Sequence, residues 1–144
     1  MVRSERNHSR SLAWSLRHRA WGDPCYLTDV DGLWIECLAN AEPVLIVEKK
    51  DRLELNGGFN EDFIVTWQAR AVKRLGELAN LPAVLIIWDS RTYSHHVYPL
   101  NQQAIKWFAK CGELLSEQDY VRRLYEIRCV KPDKAIIELL SGMI

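Results

Sequence analysis

Two short segments place acids and a lysine beside apolar runs: Leu27-Thr28-Asp29-Val30-Asp31-Gly32-Leu33, and Ile46-Val47-Glu48-Lys49-Lys50. A charge next to a buried strand is costly to desolvate unless it is paired or holds a cation, so two carboxylates and an amine in that setting call for a chemical reason. Two carboxylates with backbone carbonyls and water form a hard oxygen site, which suits Mg²⁺ or Mn²⁺ better than zinc. Such an ion fits phosphodiester chemistry, where it polarises the phosphoryl oxygen, lowers the pKa of a bound water and offsets the charge that develops during in-line attack. Lys50 would orient or deprotonate that water, or stabilise the pentavalent phosphorus, and the sequence leaves these roles open.

The elements that must position these groups are two strands. Tyr26, Leu27, Val30, Leu33, Trp34 and Ile35 predict an extended segment over residues 25–38, followed by a turn at 40–43. Pro43-Val44-Leu45-Ile46-Val47 begins a second strand, apolar on both faces and therefore central in its sheet. The two read as a hairpin. With the turn centred between Asn40 and Ala41, residues whose numbers sum to about 81 face each other, so Asp31 lies across from Lys50 and Leu33 across from Glu48. Glu48 becomes Asp31's diagonal neighbour, and the three side chains converge within roughly 8 Å, a gap one divalent ion could bridge. Asp29 shares Asp31's face, so alternation alone does not exclude it as the metal ligand.

Around the hairpin, Leu12, Trp14 and Leu16 predict a first helix over residues 9–19, broken by Trp21-Gly22-Asp23-Pro24. A loop at 56–60 precedes a helix over 62–79 with Ile64, Gln68, Ala71, Val72, Leu75 and Ala79 on one stripe. Residues 83–88 (AVLIIW) form a third buried strand, and 96–100 a shorter fourth after the polar 89–95 segment. Asn101 caps a helix carrying Ala104, Ile105, Phe108, Cys111 and Leu115. Ser116-Glu117-Gln118-Asp119 resembles a capping box opening another helix through Tyr125, and Pro132 starts a last one. This order predicts an α/β fold with a central mixed sheet flanked by helices, in one domain over 1–144 with its core at about 10–115 and C-terminal helices at 116–144.

Composition sets bounds on partners. The chain of 144 residues, 48% hydrophobic, has the length of one domain with a sizeable core. No apolar run approaches the roughly 20 residues of a membrane span, and nothing behind the Arg-rich start reads as a signal peptide, so a cytoplasmic protein with no membrane contact is expected. Lys plus Arg and Asp plus Glu number nineteen each, so any nucleic-acid binding must use local patches. Arg10, Arg17 and Arg19, with Arg3 and Arg6, form one such patch, for which a solvated helix face is the competing reading. Cys25, Cys37, Cys111 and Cys129 lack metal-binding spacing and are expected to be reduced core or boundary thiols. His95 and His96 fall in the polar segment and receive no role, whereas Trp67 and Trp107 are expected in the core. Trp14 and Trp21 are expected to pack, with base stacking as the second reading.

An Asp, then a strand and turn, then an apolar strand ending Glu-x-Lys resembles the PD-(D/E)XK nuclease superfamily, in matching order over about residues 10–100. The resemblance implies a restriction-endonuclease-like fold in which Asp31 is the first acid, Glu48 the second and Lys50 the lysine. Gln68 resembles a glutamine that several members place on the helix after the Glu-x-Lys strand. Its amide, on an apolar stripe, needs a partner that a site water, a phosphate or a strand-end carbonyl could supply. The first-helix acid frequent in the family is left unassigned, since Glu5 lies too early in the chain. The implied activity is that of a Mg²⁺- or Mn²⁺-dependent nuclease with a water nucleophile, acting first of all on DNA and similar to small phage or prophage nucleases. The alternative is a catalytically inactive module of the same fold for nucleic-acid binding or protein assembly. DNA against RNA, endo- against exonucleolytic cutting, and a homo-oligomer or a recruiting protein partner are left open.

Overall fold

Four consecutive apolar residues, Val44 to Val47, can be buried on both faces only by a strand in the middle of a sheet. They lie in β2 (Glu42–Asp51), where Leu45, Ile46, Val47 and Glu48 are all buried. This is a computed structural model that describes residues 30–37, 40–55 and 61–142. Asp29, Arg10, Arg17, Arg19, Glu5, Trp14, Trp21, Cys25, the expected first helix and the 56–60 loop lie outside the described residues.

β1 (Gly32–Glu36) pairs antiparallel with β2, joining Gly32 to Val47, Leu33 to Ile46 and Trp34 to Leu45. In these three pairs, on the site's side of a bulge, facing residues sum to 79, two less than the expected 81. Ala41 lies in the left-handed region (φ 54°), and Val44 bulges out between the partners of Trp34 and Ile35. A slip of two residues leaves every side chain on its expected face.

Asp51 caps a 3-10 turn at Arg52–Glu54, its Oδ1 accepting from Leu53 N–H at 3.0 Å. The helix expected over 62–79 is divided. A 3-10 segment (Glu61–Val65) ends at Thr66, whose extended backbone and Oγ1, accepting from Ala69 N–H, start α1 (Trp67–Ala79). The buried stripe is Ala69, Val72 and Gly76, while Ala71, Leu75 and Ala79 face outward, contrary to expectation. Gly76 fixes this rotation, since a Cβ there would stand 2.6 Å from Asn101 Nδ2 and 2.8 Å from the Leu81 carbonyl. Asn80, in the left-handed region, ends the helix, and Leu81 N–H donates back to the Gly76 carbonyl. Trp67 is 71% exposed, with the Arg70 guanidinium 4.7 Å from its ring centre, so it is not a core residue.

β3 (Ala83–Asp89) runs parallel to β2, and β4 (Ser94–Pro99) and β5 (Glu113–Leu115) add antiparallel strands in the order β1-β2-β3-β4-β5. β4 starts earlier than expected because residues 89–93 turn tightly, with Tyr93 at φ 55°, which puts both histidines in the sheet. The helix expected from Asn101 to Leu115 is a short α2 (Gln102–Ile105), and Leu115 belongs to β5. Gly112, at φ 99° against the Tyr98 ring, makes the turn that ends any helical continuation. Ser116 caps α3 (Glu117–Arg128), and α4 (Lys134–Gly142) follows, with Asp133 Oδ1 accepting from Ile136 N–H. Cys37, Cys111 and Cys129 are exposed free thiols rather than buried ones.

The mixed five-strand sheet flanked by helices is the α/β arrangement expected. One core fills the sheet face under α1 (Ile46, Val72, Leu85, Ile87, Tyr98), and the other lies under α3 (Leu45, Val47, Ile86, Phe108, Leu124), with Trp107 packed at its edge. No described helix is long and apolar enough to cross a membrane.

Candidate active site

β2 changes character where it leaves the shelter of both cores, from Val47 to Glu48-Lys49-Lys50-Asp51. Glu48 and Lys50 continue the face of Ile46, which α1 covers, and Lys49 continues the face of Val47. Across the sheet Glu48 lies level with Leu85 and Tyr98, and Lys50 with Ile87 and His96. Asp31 stands one step before Gly32, whose partner is Val47, and so comes level with Glu48. Its Oδ2 accepts from Lys49 N–H at 2.8 Å, which pins the carboxylate against β2.

The three side chains meet. Lys50 Nζ lies 3.1 Å from Glu48 Oε1, and the Asp31 and Glu48 carboxyls are within hydrogen-bonding reach of each other. Only the pairing within the trio differs from expectation: Asp31 faces Glu48 rather than Lys50. Glu48 is 3% exposed, while Asp31 is exposed and the Lys50 side chain is partly so. Burial pushes the Glu48 carboxyl above the usual carboxylate range; the Lys50 hydrogen bond opposes the shift and the Asp31 charge adds to it. Two touching carboxyls repel when both are ionised, and either a proton or a cation between them removes the repulsion.

That geometry fits a hard divalent ion. Among the described residues no three His, Cys, Asp or Glu side chains gather into a complete metal cage. The acid pair suits Mg²⁺ or Mn²⁺, which commonly take one or two carboxylates and fill the remaining positions with water and phosphate oxygens. Asp29 lies outside the described residues, and with it the choice between Asp29 and Asp31 as first ligand. Gln68 is half-buried in the first turn of α1, beside Ala69 of the layer that covers this face.

Around Arg52, which the sequence places beside the site, stands a polar rim whose carboxylate and histidine sequence reasoning gave no role. Asp89 ends β3 at 7% exposure, clamped by Arg91 Nε at 3.1 Å and Nη2 at 3.0 Å, with Arg52 Nε at 3.9 Å. These hydrogen bonds from Arg91 hold the Asp89 carboxyl below its ordinary value. His96 Nδ1 lies 3.1 Å from Tyr98 Oη with the rings stacked at 4.4 Å, and burial pushes the imidazole pKa down, as does the Arg52 charge. An alternation signal, His96 and Tyr98 against His95 and Val97, was present in the sequence; the polar neighbours Ser90 to Ser94 masked it. Lys49 points away from the site, its Nζ 5.7 Å from the Trp88 ring centre, as alternation predicts.

Compared with protein-family models, curated proteins and solved structures, the chain matches none of them.

Proposed function

We propose that this chain is a metal-dependent nuclease of restriction-endonuclease-like, PD-(D/E)XK organisation that hydrolyses phosphodiester bonds, first of all in DNA. One observation carries the reading: the Asp31 carboxyl, just before β1, lies within hydrogen-bonding reach of the Glu48 carboxyl on the adjacent strand, and the lysine two residues beyond Glu48 reaches it at 3.1 Å. The order of hairpin, crossover helix and parallel strand around that trio supports it. Asp31 and Glu48 would hold Mg²⁺ or Mn²⁺, which when bound supplies charge neutralisation and acidifies water. Glu48, buried and fixed on a central strand, gives the site a rigid ligand, and exposed Asp31 opens it toward substrate. Lys50 keeps its ammonium beside the acids and partly in solvent, where it can orient an attacking water or take up charge growing on phosphoryl oxygens.

A second reading, a catalytically silent module for nucleic-acid binding or assembly, is favoured by the balance of nineteen cationic and nineteen anionic residues. Incubation of the purified protein with labelled single-stranded, duplex and branched DNA plus Mg²⁺ or Mn²⁺ separates the two. Cleavage is expected for the native chain, with Asp31→Ala, Glu48→Ala and Lys50→Ala each slower by a factor on the order of 100 or more. Equal cleavage by all four proteins, or binding without cleavage under either metal, would remove the enzymatic reading.

A further inference from the structure

On the opposite face of the sheet from Glu48 and Lys50, a cavity of about 490 Å³ opens between β1, β2, β3 and α3. Its floor is Val47 and Ile86 with Gly32 beside them; a glycine Cβ there would meet only the Val47 Cβ, at 3.5 Å, so the missing side chain leaves the space open. Its walls are aromatic. Trp34 and Tyr120 stand among its lining side chains, and Trp88 stands with them. Tyr120 is stacked on His95, ring centres 4.1 Å apart and planes 9° from parallel. His95 lines the cavity with its stacked ring, while its Nδ1 is buried away from solvent. Two charged groups border the same space, Lys49 and Asp31, and Asp31 is the carboxylate that touches Glu48.

We propose that this cavity receives an unpaired nucleobase of the nucleic acid whose backbone crosses the Asp31, Glu48 and Lys50 site, an inference that rests on the nuclease reading. The chemistry matches in two respects. The space has the size and apolar lining of a small-ligand site, and its aromatic walls suit stacking on a π-face of any base. Lys49 supplies a cation where the chain must pass from the cavity to the acids, and Asp31, common to both, places the base within a nucleotide of the reacting phosphate. The substrate class that follows is single-stranded nucleic acid, or a duplex carrying a bulge or a displaced base, because a paired base cannot enter without leaving its stack.

The test compares two labelled duplexes by fluorescence anisotropy with Ca²⁺ in place of Mg²⁺, one carrying an unpaired adenine and one carrying an abasic residue at that place. The native chain should bind the first more tightly by roughly five- to hundredfold. Gly32→Leu, which fills the floor without a backbone clash, should abolish that preference and leave abasic-duplex affinity unchanged; Trp34→Ala should do the same if the first variant fails to fold. Equal affinity of the native chain for both duplexes overturns the proposal, as does a preference that survives in folded Gly32→Leu. Cleavage of the same duplexes in Mg²⁺ is scored separately: base preference without cleavage upholds the cavity and removes the nuclease reading, and cleavage without preference does the reverse.

Discussion

Replacing Lys50 with methionine keeps the apolar stem and removes the ammonium 3.1 Å from Glu48 Oε1. Glu48 is 3% exposed and has the Asp31 carboxyl beside it, so the least costly response of the variant is to take up a proton. Protonating a carboxyl of ordinary pKa 4.5 at pH 7 costs about 3.4 kcal/mol, at about 1.4 kcal/mol per pH unit. Burial has already raised the Glu48 pKa, so the loss at pH 7 lies below that ceiling. The sign follows from proton linkage. A carboxyl whose folded pKa exceeds its unfolded value makes stability fall as pH rises between the two, and removing Lys50 extends that fall to higher pH. Urea unfolding should therefore show a small deficit for Lys50→Met at pH 5 that grows at pH 7 but stays below about 3.4 kcal/mol. Adding Glu48→Gln should remove the pH dependence. A deficit equal at both pH values, or larger at pH 5, would refute the account of Glu48 as a buried acid held ionised by Lys50.

Other outcomes follow from the same geometry. Asn101 is 4% exposed; its Oδ1 accepts from Ala83 N–H and Ala104 N–H, and its Nδ2 donates to the Leu81 carbonyl, so Asn101→Ala should cost about 2 to 4 kcal/mol in urea unfolding. Gly76→Ala should destabilise by about 1 to 3 kcal/mol despite alanine's better helix propensity, because its Cβ meets Asn101 Nδ2 at 2.6 Å and Ala83 Cβ at 2.9 Å. Arg91 depresses the Asp89 pKa, so the stability this carboxylate provides is full above its unfolded value of 3.8 and lost as pH falls through the folded one; in urea unfolding Asp89→Asn should be less stable than the native chain above that pH, the gap closing as pH falls further. Mn²⁺ at ten times its Kd should stabilise the native chain by about 1.4 kcal/mol in thermal unfolding, an effect chelation reverses and Asp31→Asn lacks.

The sheet and the acid-lysine trio were readable because their signals are local and redundant. An apolar run such as Val44 to Val47 admits one environment, and strand alternation fixes which side Glu48 and Lys50 occupy whatever the turn does, so the two-residue error in register cost nothing in placement. Helical periodicity was a weaker guide in α1, where a glycine's close approach, invisible to a hydrophobic count, turned the helix to bury Gly76 and expose Leu75. β5 was hidden for a similar reason. Three residues, Glu113 to Leu115, are too few to show alternation, and the apolar spacing of Ala104, Phe108 and Leu115 imitated a helix that Gly112 does not permit. The histidines were misread because composition outweighed alternation in a short strand. The aromatic cavity had no sequence signature, since its walls come from β1, β3, β4 and α3, which only the folded chain assembles.

Titration of the full-length native protein with Mn²⁺, followed by the loss of the free-ion paramagnetic resonance signal, tests the central claim most directly. One ion should bind, more tightly in the presence of a phosphorothioate oligonucleotide that completes its coordination, and Asp31→Asn and Glu48→Gln should each weaken it at least tenfold, about 1.4 kcal/mol or more. Binding that is absent with the oligonucleotide present, or that is unchanged in both variants, would contradict a divalent-ion site at Asp31 and Glu48.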